Sequence, residues 1–232
     1  MSVLEIKGLV KRYGSVVALD GLDLEADREI YGLIGPNGAG KSTALAILMG
    51  LIRADSGTAS VAGFAVRDVP LEVKRRTGFL PEEPFYYEYL TGEETFNFAS
   101  SAYGVRWTED AFLRGWIEAL DMAGHMRQLL GHYSHGMRQK LGLLLTLLHD
   151  PALLLWDEPY VGLDFPSQEK VKRLLRELKE RGKTVIISTH VLPLVESVAD
   201  RVGFIMDGRI RWTGENRGDL SRLFADVPGL AL

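Results

Sequence analysis

The chain has 232 residues, 46% of them hydrophobic and 25% charged, a balance that gives one well-packed core or at most two small domains and excludes a disordered chain. Its longest apolar runs, Ala44–Ile52 and Leu143–Leu148, fall well short of the roughly 18 residues a membrane-crossing helix needs, and the lack of cysteine excludes disulfides, thiolate metal sites and cysteine nucleophiles. With 27 Lys and Arg against 31 Asp and Glu, the net charge of -4 provides no global positive field for a nucleic-acid backbone, so no nucleic-acid partner is expected.

The start, Met1 to Lys7, carries an early acidic residue and no apolar stretch ending in small residues. It does not read as a secretory signal, and a protein kept inside the cell is expected. Strands are predicted at Ile6–Tyr13, Val16–Leu24 and Glu29–Ile34, punctuated by Gly8, Gly14, Gly21 and Gly35. A buried helix follows at Lys41–Leu51 and a strand at Gly57–Ala62. From about Pro84 to Asp150 strand signals give way to helical spacing at Thr91–Tyr103, Thr108–Ala123 and Gly136–Leu148, which reads as a helical insertion. Beyond it come a doubly buried strand at Leu153–Trp156, an amphipathic helix at Pro166–Arg181, a strand at Thr184–Ser188 and a helix at Leu192–Ala199. Two strands, Val202–Met206 and Arg209–Thr213, flank an Asp207-Gly208 turn, and Asn216–Ala225 reads as a short terminal helix. Strands alternating with helices predict an α/β fold with a largely parallel sheet.

Two segments carry chemistry. Gly35-Pro36-Asn37-Gly38-Ala39-Gly40-Lys41-Ser42-Thr43 has the spacing Gly-x4-Gly-Lys-Ser between a predicted strand and a predicted helix, the context a phosphate-binding loop requires. Its glycines let backbone N–H groups turn inward, and the helix start adds a positive dipole end. Lys41 supplies a point charge for the β and γ phosphates, and the Ser42 hydroxyl is a hard oxygen ligand for Mg2+. The second segment, Leu153 to Pro159, sets Asp157 and Glu158 just past a buried apolar strand, at the edge where open α/β sheets bind ligands. Asp157 suits the metal shell, and Glu158 suits the polarisation of a water for in-line attack on the γ-phosphate.

With Gly162-Leu163-Asp164 and Ser188-Thr189-His190 following in order, the chain resembles the ATP-binding subunit of ABC transporters from about Leu4 to Thr213. The resemblance implies a P-loop NTPase (RecA-like) core with an N-terminal antiparallel β subdomain and an inserted α-helical subdomain: residues 1–84 and 150–232 as the core, 85–149 as the insertion, one ABC ATPase domain in all. It implies ATP and Mg2+ as cofactors, with Tyr13 stacking on adenine, His190 contacting the γ-phosphate and attacking water, and Asp164 shaping the opposite site across a dimer interface. Taken alone, Tyr13 reads as an ordinary strand aromatic and His190 as a capping or packed residue.

Two positions depart from the familiar pattern. Glu82, in Gly78 to Pro84, stands where a glutamine is usual, so its carboxylate joins Ser42 and Asp157 as a candidate metal ligand. The signature segment reads Tyr133-Ser134-His135-Gly136-Met137 rather than Leu-Ser-Gly-Gly-Gln, keeping Ser134 and Gly136 at a helix start that can hold a γ-phosphate. Such variants look similar to bacterial ATPases serving separate ABC-2-type export permeases. The resemblance implies a homodimer or heterodimer with a second ABC ATPase subunit, each ATP lying between Lys41 of one chain and Ser134 of the other. It also implies an integral membrane permease as partner and a cytoplasmic location at the inner face of the membrane. Phe85, Tyr86, Tyr87 and Tyr89 fall where the family receives the permease, or pack the helical core. The alternative is a soluble or regulatory ABC-type ATPase not coupled to transport.

Overall fold

The computed structural model describes residues 2–224, arranged on two sheets. Strands β1 (Leu4–Tyr13), β2 (Val16–Ala26), β4 (Ser56–Val61) and β5 (Phe64–Ala65) form an antiparallel sheet in the order β2-β1-β4-β5. Strands β3 (Ile30–Ile34), β6 (Thr77–Leu80), β7 (Leu153–Asp157), β8 (Thr184–Thr189), β9 (Arg201–Met206) and β10 (Arg209–Glu215) form the second, in the order β10-β9-β3-β8-β7-β6. Within it β9, β3, β8, β7 and β6 are parallel, and β10 folds back antiparallel through the Asp207-Gly208 turn.

The central strands β3, β7 and β8 are buried along their whole lengths, as apolar runs such as Leu153–Trp156 and Val185–Ile187 require of strands covered on both faces. Alternation splits their side chains between two cores. Leu154, Trp156, Val185 and Ile187 pack with Leu113, Leu141, Leu144 and Leu174 from the helices α4 (Ala111–Ala119), α5 (His135–Thr146) and α6 (Phe165–Glu180). Leu33, Leu153, Leu155 and Ile186 pack with the antiparallel sheet and with Ala44, Leu45 and Leu48 of α1 (Lys41–Leu48).

The remaining helices are α2 (Pro70–Lys74), α3 (Gly92–Tyr103), α7 (Leu192–Glu196) and α8 (Leu220–Leu223). Thr91 starts α3 through a reciprocal capping box with Glu94. The expected single helix at Thr108–Ala123 is broken into a 3-10 turn at Trp107–Glu109, α4, and another turn at Ala123–His125. Asp110 is extended and its carboxylate accepts from the N–H groups of Phe112 and Leu113, so the α-helix starts afresh after it; Asp121, at φ 60°, terminates it. The strand β5 and the helix α2 are too short for periodicity to reveal. Helices α1 and α7 end three residues earlier than their sequences suggest, and the expected terminal helix shrinks to Leu220–Leu223, with Ala225 outside the described residues. No helix among the described residues is long and apolar enough to cross a membrane.

Candidate active site

Parallel strands end at one edge of the sheet, and here the register brings the two chemical segments together. Ile34 pairs with Thr189, Asp157 with Ser188 and Leu80 with Trp156. The loop after β3, the carboxylates after β7, His190 after β8 and Glu82 after β6 therefore share that edge. The Gly35 N–H donates to the Thr189 carbonyl at 3.3 Å.

The loop Gly35 to Gly40 is shaped from outside as well as within. The tip of the β9–β10 hairpin supports it: Gly208 N–H donates to Ala39 O at 3.0 Å, while Asp20 N–H donates to Gly208 O, also at 3.0 Å. A Cβ on Gly35 would lie 2.2 Å from the Ile205 carbonyl oxygen. Within the loop Pro36 is half-buried, Asn37 and Gly38 are exposed and Ala39 is buried. Helix α1 starts without any side-chain cap, so its first-turn N–H groups, those of Lys41, Ser42 and Thr43 among them, lack intrahelical partners and suit an anion. Ser42 is exposed and Thr43 half-buried. The Lys41 ammonium is buried and donates to Gly35 O at 2.7 Å and Pro36 O at 3.0 Å. Burial pushes its pKa down, opposed by the carboxylates of Glu158, Asp157 and Glu82.

Asp157 and Glu158 are both buried. Asp157 Oδ1 accepts a hydrogen bond from the Ser188 hydroxyl. Glu158 has φ 46°, a left-handed conformation that costs a non-glycine residue about 1–2 kcal/mol. Bonds all round it hold that geometry. Its N–H donates to Ser188 O at 2.9 Å, Oε2 accepts from the Thr189 hydroxyl at 2.6 Å, and Oε1 accepts from the His190 N–H at 3.1 Å. His190 Nδ1 also lies 2.6 Å from Oε1. The carboxylate is thus aimed by β8 rather than free to sweep.

Glu82 is exposed past β6. Partial burial and the neighbouring charges of Asp157, Glu158 and Glu83 push its pKa up, with Lys41 acting the other way. Three carboxylates facing one ammonium leave an excess of negative charge that a divalent cation would offset, and Ser42, Asp157 and Glu82 offer the oxygen atoms Mg2+ prefers. Among the described residues no three His, Asp or Glu side chains form an all-protein metal cage, so such a cation would rely on one or two of these oxygens and on those of its ligand.

The other expected residues lie on different elements. Tyr13 ends β1, half exposed, with Lys11 Nζ 5.2 Å from its ring centroid. Ser134 caps α5, its hydroxyl accepting from Met137 N–H at 3.2 Å. Gly136 packs so closely on the loop after β7 that a Cβ there would lie 2.6 Å from Gly162 O. Asp164 caps α6, and hydrogen bonds from Ser167 hold its carboxyl below the usual range. Among the described residues no hydrogen bond joins the side chains of Ser134 or Asp164 to the loop Gly35–Thr43. Of the aromatic run, Phe85, Tyr87 and Tyr89 are exposed, while Tyr86 is half-buried and donates its hydroxyl to Arg138 O at 3.0 Å.

A family model described as "ABC transporter" matches residues 19–161, covering loop, signature segment and carboxylates together. The chain belongs to the ABC transporter family. A second model, an AAA domain described as a putative AbiEii toxin of a type IV toxin–antitoxin system, matches residues 127–196 of this ABC chain. Among curated relatives, the fluoroquinolones export ATP-binding protein MT2762 of Mycobacterium tuberculosis is 36% identical over 211 residues, covering 90% of this chain and 69% of that one. The daunorubicin/doxorubicin resistance ATP-binding protein DrrA of Streptomyces peucetius is 36% identical over 222 residues, covering 94% and 67%. A solved ATP-binding subunit of an ABC transporter superposes with a TM-score of 0.88 at 31% identity, over 97% of this chain and 94% of that one. The family and the α/β cassette architecture expected from the motifs are both borne out.

Sequence reasoning passed over three contributors. Thr189 touches Glu158 directly and could have been found as the neighbour of His190. The Asp207-Gly208 turn is legible but its contact with the phosphate loop is not, and Gln139, whose Nε2 lies 3.3 Å from Glu158 O, leaves no signal in the sequence, since each acts only through a long-range approach.

Proposed function

We propose that this ABC ATPase is the energy-supplying subunit of an exporter: it hydrolyses ATP at the interface of a cassette dimer and drives a separate integral membrane permease from the cytoplasmic face. The observation that carries the reading is the convergence of Lys41, Asp157, Glu158 and His190 on the edge that bears the phosphate loop. In this reading the described residues within 1–84 and 150–232 form the nucleotide-binding part and 85–149 the helical part. Export is supported by the relatives, a fluoroquinolones export ATP-binding protein and a daunorubicin/doxorubicin resistance ATP-binding protein.

In this reading Lys41 and the N–H groups from Gly38 to Thr43 hold the phosphates, and Tyr13 stacks on the adenine. Ser42, Asp157 and Glu82 are the side chains from which Mg2+ would draw its one or two protein oxygens, and when bound it would neutralise phosphate charge. Glu158 accepts the proton of the attacking water, and His190, bonded to the same carboxylate, holds it toward that water. Ser134 and Gly136 offer the start of α5 to the γ-phosphate bound by the partner chain, and Asp164 lies in the loop that meets it. ATP then bonds to both protomers, and its hydrolysis removes the bridge.

The exposed aromatics give the permease a surface. Tyr87 lies 5.9 Å from Phe85, 5.7 Å from Tyr89 and 6.2 Å from Phe98 of α3, measured between ring centroids. Phe85 is 85% exposed and Phe98 63%. The same segment is tied to α5 by Tyr86 and by the Glu88–Arg138 ion pair at 2.9 Å, so a push on it is transmitted toward the signature segment.

The test is Mg2+-dependent ATP hydrolysis by the purified chain and by Glu158→Gln. The substitution is expected to lower turnover by at least a hundredfold, on the order of a lost general base, while ATP binding persists and a dimer accumulates. Unchanged turnover removes Glu158 from the catalytic role. Failure of the chain to fractionate with any membrane protein in cells refutes the transport assignment.

A further inference from the structure

Glu158 is held on its backbone side by the helix that begins at the signature segment of its own chain. Gln139, five residues after Ser134 on α5, is 1% exposed, and its side-chain amide donates from Nε2 to Glu158 O at 3.3 Å. The same carbonyl accepts from Val161 N–H at 3.1 Å. We infer that Gln139 is a positioning residue for hydrolysis: it fixes the peptide that follows Glu158, and so the direction in which the carboxylate leaves the sheet edge. The inference rests on the reading of Glu158 as the proton acceptor.

Three observations support it. First, Glu158 at φ 46° occupies a conformation its local sequence does not favour, so its peptide depends on outside bonds more than an ordinary turn does. Second, stability does not account for Gln139. Its Oε1 is buried without a hydrogen-bond partner among the described residues, and a half-satisfied buried amide stabilises a fold less well than an apolar side chain of the same size. Glu158 O would keep its Val161 bond in any case. Third, a second contact between α5 and the same loop lies one turn nearer the helix start. There the His135 ring lies so close over Gly162 that a Cβ on Gly162 would overlap it. The segment from Glu158 to Gly162 is therefore held at both ends by the first half of α5. The helix start that meets the partner's nucleotide and the carboxylate that serves the chain's own nucleotide form one rigid unit.

The experiment measures kcat and KM for ATP, together with the thermal midpoint, for the full chain and for Gln139→Leu, Gln139→Met, Glu158→Gln and Gln139→Leu/Glu158→Gln. Leu and Met keep the bulk without the donor, and Met accommodates the pocket if Leu fails to fold. A fall in kcat of about tenfold is expected, the scale of a small misplacement of a reacting group. KM for ATP should stay within about twofold and the midpoint should hold or rise. In the Glu158→Gln background the Gln139→Leu change should alter turnover by less than about twofold, because the group it positions is already gone. Full kcat in both single variants overturns the inference. So does a loss of kcat matched by a lowered midpoint, or an undiminished tenfold loss in the Glu158→Gln background. Normal turnover in Glu158→Gln alone refutes the proton-acceptor reading itself, and the positioning role falls with it.

Discussion

Two glycines of the phosphate loop provide a matched pair for separating backbone strain from close packing. Gly38 has φ 82° and Gly40 φ 106°, both in the region that L side chains rarely adopt. A methyl group on Gly38 meets nothing within 4 Å, whereas on Gly40 it lies 2.4 Å from the Ala18 carbonyl oxygen and 2.9 Å from Leu19 Cδ2. The conformational cost, about 1–2 kcal/mol, applies to both. Only Gly40→Ala adds an overlap, and Ala18 O belongs to the backbone of β2 and cannot swing aside. Overpacking of that kind adds about 1–3 kcal/mol. For a chain of this size each kcal/mol lowers the melting midpoint by about 2–4 °C, so Gly38→Ala should lose about 4 °C and Gly40→Ala about 10 °C. The overlap also displaces the N–H groups of Lys41 and Ser42 that suit phosphate. Midpoints recorded with and without Mg2+ and ATP should therefore show the nucleotide-dependent rise retained in Gly38→Ala and lost in Gly40→Ala. Equal destabilisation of the two variants would refute the argument from close packing.

Two further outcomes follow from the site and its surroundings. The Glu82 carboxyl has a raised pKa, so folding favours its protonated form; that contribution is full below the ordinary glutamate range near about pH 4.3 and is lost as pH rises through the folded value. Glu82→Gln should therefore stabilise the nucleotide-free chain near pH 7–8, by less than about 1 kcal/mol because the group is exposed, with the gain vanishing in acid. Melts across that range check it, and a variant less stable than the parent at pH 8 contradicts it. Phe85→Ala and Tyr89→Ala remove exposed rings, so each should change stability by no more than about 0.5 kcal/mol and leave basal hydrolysis intact, while permease co-purification falls at least about tenfold. Unaltered permease binding in both variants would remove these rings from the docking surface.

The extent to which sequence revealed the site depended on the range of the interactions involved. The phosphate loop is a local device: glycines at set positions, a lysine and a following helix specify its geometry over nine residues, so Gly35 to Thr43 are legible without a fold. The buried strands were equally plain, because a strand covered on both faces must be apolar throughout, as Leu153 to Trp156 are. The expected helix at Thr108–Ala123 breaks because Asp110 caps a new helix and Asp121 ends it, which apolar spacing alone does not show. For the aromatic run, composition could not separate rings that pack from rings that face solvent. Only the contact of Tyr86 with Arg138 O set it apart from its exposed neighbours.

By itself, then, the sequence determined the phosphate loop, the candidate catalytic carboxylates, the family and the α/β alternation of the longer elements, since each is written in short runs whose chemistry is local. The tertiary structure decided how those runs meet. Parallel register set Ser188 beside Asp157 and Thr189 beside Ile34, a hairpin tip from residues 207–208 braced a loop more than 160 positions earlier, and Gln139 reached Glu158 from another element. These are contacts between distant segments, fixed by the packing of helices on the sheet, and no periodicity or spacing within either segment encodes them.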